Sequence, residues 1–129
     1  MGDGDQAIVL TSSYDLRGQE PREKPIWEMV LTDTHDADDT SDATIALNWN
    51  GLLRKVIVKV PAYTNGITGQ LVLADNGDNT IFDSGELTKG ATYTFNVDEP
   101  ICTEINVTTG VSGAAGGTGA NLVVTLRGV

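Results

Sequence analysis

The sequence is poor in the residues that staple, span or catalyse: it has one cysteine, Cys102, one histidine, His35, and only two tryptophans, three tyrosines and two phenylalanines. A single thiol closes no intramolecular disulfide, which excludes the small oxidised scaffolds held by several bridges. No apolar run reaches the ~18 residues that a helix needs to cross a bilayer, so no membrane partner is expected. The opening Met1-Gly2-Asp3-Gly4-Asp5 has neither the basic nor the apolar stretch of a secretory signal, giving an expectation of synthesis and use from the cytoplasm. Bases are scarce as well. Eight Lys and Arg stand against 18 Asp and Glu, a formal net charge of -10. A phosphate backbone would be repelled at long range, so nucleic acid is not an expected partner.

What the chain does have is 129 residues, 40% of them hydrophobic and mostly aliphatic, enough for one domain with a core. Its acidity is uneven. Residues 1–42 carry eleven acids and three bases, a net -8, whereas residues 43–129 carry seven acids and five bases, a net -2. We therefore divide the single domain into an acidic N-terminal arm with one or two strands (1–42) and a β-sandwich body (43–129). Within the arm, Asp15 to Lys24 and Asp33 to Asp42 read as loops: solvated by default, or ordered on a partner.

Short apolar runs of period two, rich in Val, Ile, Thr and Tyr, are separated by Gly, Asn and Asp clusters. Strands are expected near Ala7 to Thr11, Ile26 to Thr32, Ala43 to Trp49, Leu52 to Val60, Gly69 to Ala74, Thr80 to Asp83, Thr92 to Val97, Thr103 to Thr109 and Leu122 to Arg127. Nothing is convincingly helical. Tyr93, Phe95 and Val97 against Thr92, Thr94 and Asn96 give the clearest inward–outward alternation. The fold class is all-β, an antiparallel sandwich, jelly-roll-like or Ig-like, with an extended acidic N-terminal segment. Pro61 should end one strand, and Pro100 should interrupt the path between two others. The stretch Ser112 to Gly119 reads as a mobile hairpin loop.

Few motifs carry chemistry. Asp75, Asn79, Asp83 and Glu86 fall at positions 1, 5, 9 and 12 of an EF-hand frame, but position 3 is Gly77 and position 6 is Thr80 where glycine is needed. The loop reads as a turn, with Asn76-Gly77 as a type I′ hairpin pair, and a weak Ca²⁺ site as the alternative. No other cofactor is expected. His35 lies among Asp33, Asp36, Asp38 and Asp39, with no nucleophile elbow to accompany it, and reads as part of a solvated run. Asn106-Val107-Thr108 matches a glycosylation sequon on a strand and reads as accidental. Lys55 and Lys59 alternate with Val56, Val58 and Val60, which sets both on one outer face. Trp27 and Trp49 serve as core or interface anchors, or as a sugar platform.

The runs Lys55 to Gly66 (KVIVKVPAYTNG), Gly69 to Gly85 (GQLVLADNGDNTIFDSG), Gly90 to Phe95 (GATYTF) and Leu122 to Gly128 (LVVTLRG) resemble small β-sandwich virion proteins of tailed bacteriophages. Those are capsid decoration or cementing proteins and related minor head or tail components. The resemblance implies a non-enzymatic virion protein on the capsid surface, made in the host cytoplasm. It also implies the major capsid protein as partner, and a homo-oligomer, most often a trimer. Candidate partner contacts are Tyr14, Arg17, Arg22, Lys24, Trp27, Lys55 and Lys59. A minor tail or head–tail component, or a soluble carbohydrate- or cation-binding sandwich, are the alternatives. Catalytic residues are not expected.

Overall fold

In a computed structural model, residues 6–17, 26–35, 37–38, 40–117 and 120–129 are described. They form ten strands: β1 (Gln6–Asp15), β2 (Trp27–His35), β3 (Ala43–Asn48), β4 (Gly51–Val60), β5 (Thr68–Ala74), β6 (Thr80–Asp83), β7 (Leu87–Thr88), β8 (Ala91–Ile101), β9 (Glu104–Val111) and β10 (Ala120–Gly128). Two antiparallel sheets result, and no helix occurs among the described residues. One sheet has the order β1-β2-β10-β4-β8; the other has β3-β9-β5-β6, with β7 also paired to β5.

Period-two alternation builds the core between them. Trp27, Met29 and Leu31 of β2, Leu122, Val124 and Leu126 of β10, and Val56, Val58 and Val60 of β4 turn inward from the first sheet. Leu71 and Leu73 of β5 and Ile105 and Val107 of β9 meet them from the second. Each such side chain contributes about 1.5–3 kcal/mol on burial. Leu53 and Val56 are three apart yet both buried, because against β10 the register shifts between Arg127 and Gly128 and leaves Arg54 as an extra residue of β4.

The N-terminal strands belong to this body. β2 lies between β1 and β10, so the stretch from Trp27 is interior sheet, and the first loop expected after Thr32 starts later: β2 runs on to His35. Asp33, read from its charged surroundings as solvated, is fully buried. Pro100 does not interrupt a path but sits inside β8 opposite Leu52. β8 is an edge strand, where a missing N–H removes no ladder bond on the open side.

The glycine-rich stretch is anchored as far as Gly117. Asn65 N–H donates to Ala115 C=O at 2.9 Å, Gly116 N–H donates to Ala37 C=O at 2.9 Å, and Ala115 is buried. Gly116 and Gly117 take φ of 77° and 60°, and a Cβ on either would collide with Asn65 or Thr64. Thr118 and Gly119 lie outside the described residues.

Trp27 is held at one end of the sandwich by two backbones that pass too close for any side chain. A Cβ on Gly51 would lie 2.7 Å from Trp27 Nε1, and one on Gly128 would meet the Trp27 ring and the Leu52 carbonyl. The indole N–H donates to Val129 C=O at 3.2 Å, and Val129 and Leu52 exchange backbone hydrogen bonds at 2.9 and 3.0 Å. Trp27→Ala should therefore cost about 3–5 kcal/mol, read as a fall in the urea midpoint, because the cradle cannot collapse onto the void. A chain starting at Ala43 removes β2, the neighbour of β10, and should show no cooperative thermal transition by circular dichroism.

Candidate functional site

The sites expected from the sequence scatter over three surfaces. At the far end of the β1–β2 hairpin, Arg17 grips the Asp15 carboxylate with two bonds, Nε to Oδ1 at 2.9 Å and Nη2 to Oδ2 at 3.0 Å. Its guanidinium lies 5.2 Å above the Trp49 ring and donates to Asn50 C=O. Trp49 in turn meets Trp27 edge-on, with centroids 5.3 Å apart and planes at 61°. The Arg17 hydrogen bond holds the Asp15 carboxyl below its ordinary range, and Asp15 raises Arg17 reciprocally. Arg17 is thus a clamp between the N-terminal hairpin and the β3–β4 turn. Trp27 is 1% exposed and offers nothing to a partner. Tyr14 is exposed, whereas Arg22 and Lys24 lie outside the described residues.

The second surface is the outer face of the β1-β2-β10-β4-β8 sheet. Pairing aligns Glu28, Arg127, Lys55 and Asn96 in one transverse row, Val30, Thr125, Ile57 and Thr94 in the next, and Thr32, Val123, Lys59 and Thr92 beyond it. Arg127 Nε donates to Glu28 Oε2 at 2.6 Å, and Lys55 and Lys59 stand among Val, Ile and Thr, with Asn96 beside Lys55. The expectation that these two lysines share an outer face matches this arrangement.

The third surface is the Asp75–Glu86 loop, where each carboxylate serves a local bond. Asp75 Oδ1 accepts the N–H groups of Gly77 and Asn79 at 2.9 and 2.8 Å, and the Asn79 amide adds two more bonds. These bonds, the Asn79 backbone first, lower the Asp75 carboxyl from its ordinary value. Asp83 Oδ1 accepts from Gly85 N–H and Gln70 Nε2, which lowers it likewise, and Glu86 Oε1 accepts from Thr68 Oγ1. The expected type I′ turn is corrected. Asp78 N–H closes the turn on Asp75 C=O at 3.0 Å, and Asp78 (φ 64°), rather than Asn76 or Gly77, takes the left-handed conformation, which an aspartate tolerates. Among the described residues no three His, Cys, Asp or Glu gather where they could hold a metal ion. Asp36, Asp39 and the side chain of His35 lie outside the described residues.

Sequence reasoning missed a polar crossing of the core. Asp33 of β2 accepts a 2.6 Å hydrogen bond from the Thr109 hydroxyl of β9, joining the two sheets with both residues fully buried. Tyr63, 2% exposed, stands near enough to Asp33 to feel its charge. The signal available was weak: Asp33 continues the Trp27, Met29, Leu31 alternation, and only its acidic neighbours hid it.

No family model matches the chain, and no curated protein does. Several solved structures share its general form. The capsid of Helicobacter pylori bacteriophage KHP30 is 13% identical over 96% of this chain and 93% of that one, with a TM-score of 0.49. A disulfide-linked pilus of Bacillus endospore appendages is 16% identical over 100% and 94%, at 0.49. The module CBM51 from Clostridium perfringens, solved with methyl-galactose, is 13% identical over 95% and 87%, at 0.44. Likeness at this level is of sandwich to sandwich and assigns no function.

Burial, and then the Asp33 charge, push the Tyr63 phenol well above its ordinary value. In the unfolded chain it ionises near pH 10, while the folded chain keeps the proton, so the folded state binds more protons and loses stability as pH rises past about 10. Urea midpoints should fall between about pH 9 and 11 in the native chain, and fall less in Tyr63→Phe.

Proposed function

We propose that the protein is a structural, non-enzymatic component of a bacteriophage virion, a decoration protein that seats on the assembled head. Placement of charge carries this reading. In a chain of net charge -10, the three rows on the outer face of one sheet hold three of the eight bases, Lys55, Lys59 and Arg127, against one acid, Glu28, which Arg127 pairs; the other positions are Val30, Ile57, Val123, Asn96 and threonines. Such a face suits a broad, flat, acidic partner surface, here the major capsid protein, rather than a small ligand. Binding that prefers the assembled shell stabilises it by linkage, and many weak copies suffice. The resemblance from Lys55 to Gly128 covers the strands β4 and β10 that build the face. The two tryptophans suit a sugar platform poorly, since Trp27 is buried and Trp49 lies under Arg17.

The double variant Lys55→Glu, Lys59→Glu should fold normally and bind purified heads about tenfold more weakly, equivalent to ~1.4 kcal/mol. Binding of the native chain should itself weaken as salt is raised, since exposed charge pairs are screened beyond about 8 Å at physiological ionic strength. Unchanged occupancy of the double variant across a salt series, or absence of the protein from purified virions by peptide mass spectrometry, overturns the proposal.

A further inference from the structure

The two long sides of the sandwich are unlike. On one, β6 and β8 come together through the edge-on pair Phe82 and Phe95, with centroids 5.1 Å apart. Those edges are protected against pairing with another chain: β6 has four residues and ends in Asp83, and β8 carries Asp98, Glu99 and Pro100. On the other side β1 packs beside β3. β1 is ten residues long, and no charge and no proline occurs in it from Gln6 to Tyr14. Among the described residues no strand pairs with its outer side. Exposed apolar side chains gather here as well. Of the five large ones among the described residues, Val9, Leu10 and Tyr14 are on β1 and Ile26 stands just before β2; only Val129 lies elsewhere.

We propose that β1 is a self-association edge: two copies of this chain pair antiparallel through β1 about a two-fold axis, joining their five-stranded sheets into one of ten strands. A second copy, rather than another partner, fits for two reasons. First, β1 presents no net charge to attract one. Its single charged residue, Asp15, is neutralised within the chain by Arg17, so β1 itself sets no unpaired acid against a second β1. Second, the strand is self-complementary. In the pairing that overlaps all ten residues, Ile8 stands opposite Ser13 of the second copy and Val9 opposite Ser12. Two-fold symmetry requires paired residues to share a face. The register shift between Leu10 and Ser12 provides this: Ile8 and Ser13 lie opposite the inward Asp33 and Met29, while Val9 and Ser12 lie opposite the outward Thr32 and Val30. A straight ten-residue strand would place these partners on opposite faces.

The inference holds whatever the broad outer face binds, and its test uses no capsid. Sedimentation equilibrium of the full chain should show a dimer at roughly 100 µM. Val9→Lys sets two ammonium groups near the axis and should raise the dissociation constant at least about tenfold while the fold, followed by circular dichroism, is kept. Ser12→Lys, at the position facing Val9, gives the same readout should Val9→Lys fail to fold. Thr94→Lys, on the opposite edge strand β8, should leave association unchanged. A native chain that is monomeric at that concentration, a folded Val9→Lys or Ser12→Lys that stays dimeric, or a Thr94→Lys that dissociates overturns the proposal.

Discussion

The structure depends on where β10 goes. It is the last strand in sequence, yet it lies at the centre of its sheet, paired along its length with β2 on one side and with β4 on the other. Without it β1 and β2 would be a detached hairpin and β4 and β8 a second one, each marginal in water by itself. Leu122, Val124 and Leu126 complete the core only when it is seated, and the seat for Trp27 is made of Gly128 and Val129 from its end together with Gly51 from β4. The clamp of Arg17 on Trp49 adds a second tie between the same two halves.

Charge is arranged around that core by one rule. It reads plainly at four carboxylates: Asp75 and Asp83 serve turn N–H groups, Asp15 and Glu28 each pair a single base, and each shapes its own neighbourhood. Asp33 breaks the rule. It crosses the core to Thr109, a polar contact whose demand for direction can fix how one sheet sits over the other, which apolar packing does loosely. The outer face bearing Lys55 and Lys59 is what the rule leaves over.

Much of the fold was legible because it is written in nearest neighbours. Alternation along Tyr93, Phe95 and Val97, or along Val56, Val58 and Val60, needs only the pleat, and both faces came out as that period requires. Strand order was not legible, since β10 beside β2 is a pairing across some ninety residues that no local pattern encodes. Errors clustered where local and distant physics conflict. Asp33 looked solvated among acids but obeys the periodicity of its strand. Pro100 looked like a break but sits where an edge tolerates it. Trp27, read as a core or interface anchor and as a candidate partner contact, is an anchor for the chain's own end. Of the candidate site, the paired lysines were visible from spacing, whereas Arg127 joins their row only through the register of β10.

The central position of β10 also sets a timetable for synthesis. A ribosome delivers β1 to β9 before the strand that unites them, so the growing chain must carry β2 and β4 with their inner edges open until the final residues of the sheet arrive. Pairings between distant segments form slowly, and open edges in the meantime invite wrong partners. Folding of this sheet is thereby tied to the arrival of β10, and the interval before β10 docks is when it is most exposed to misassembly.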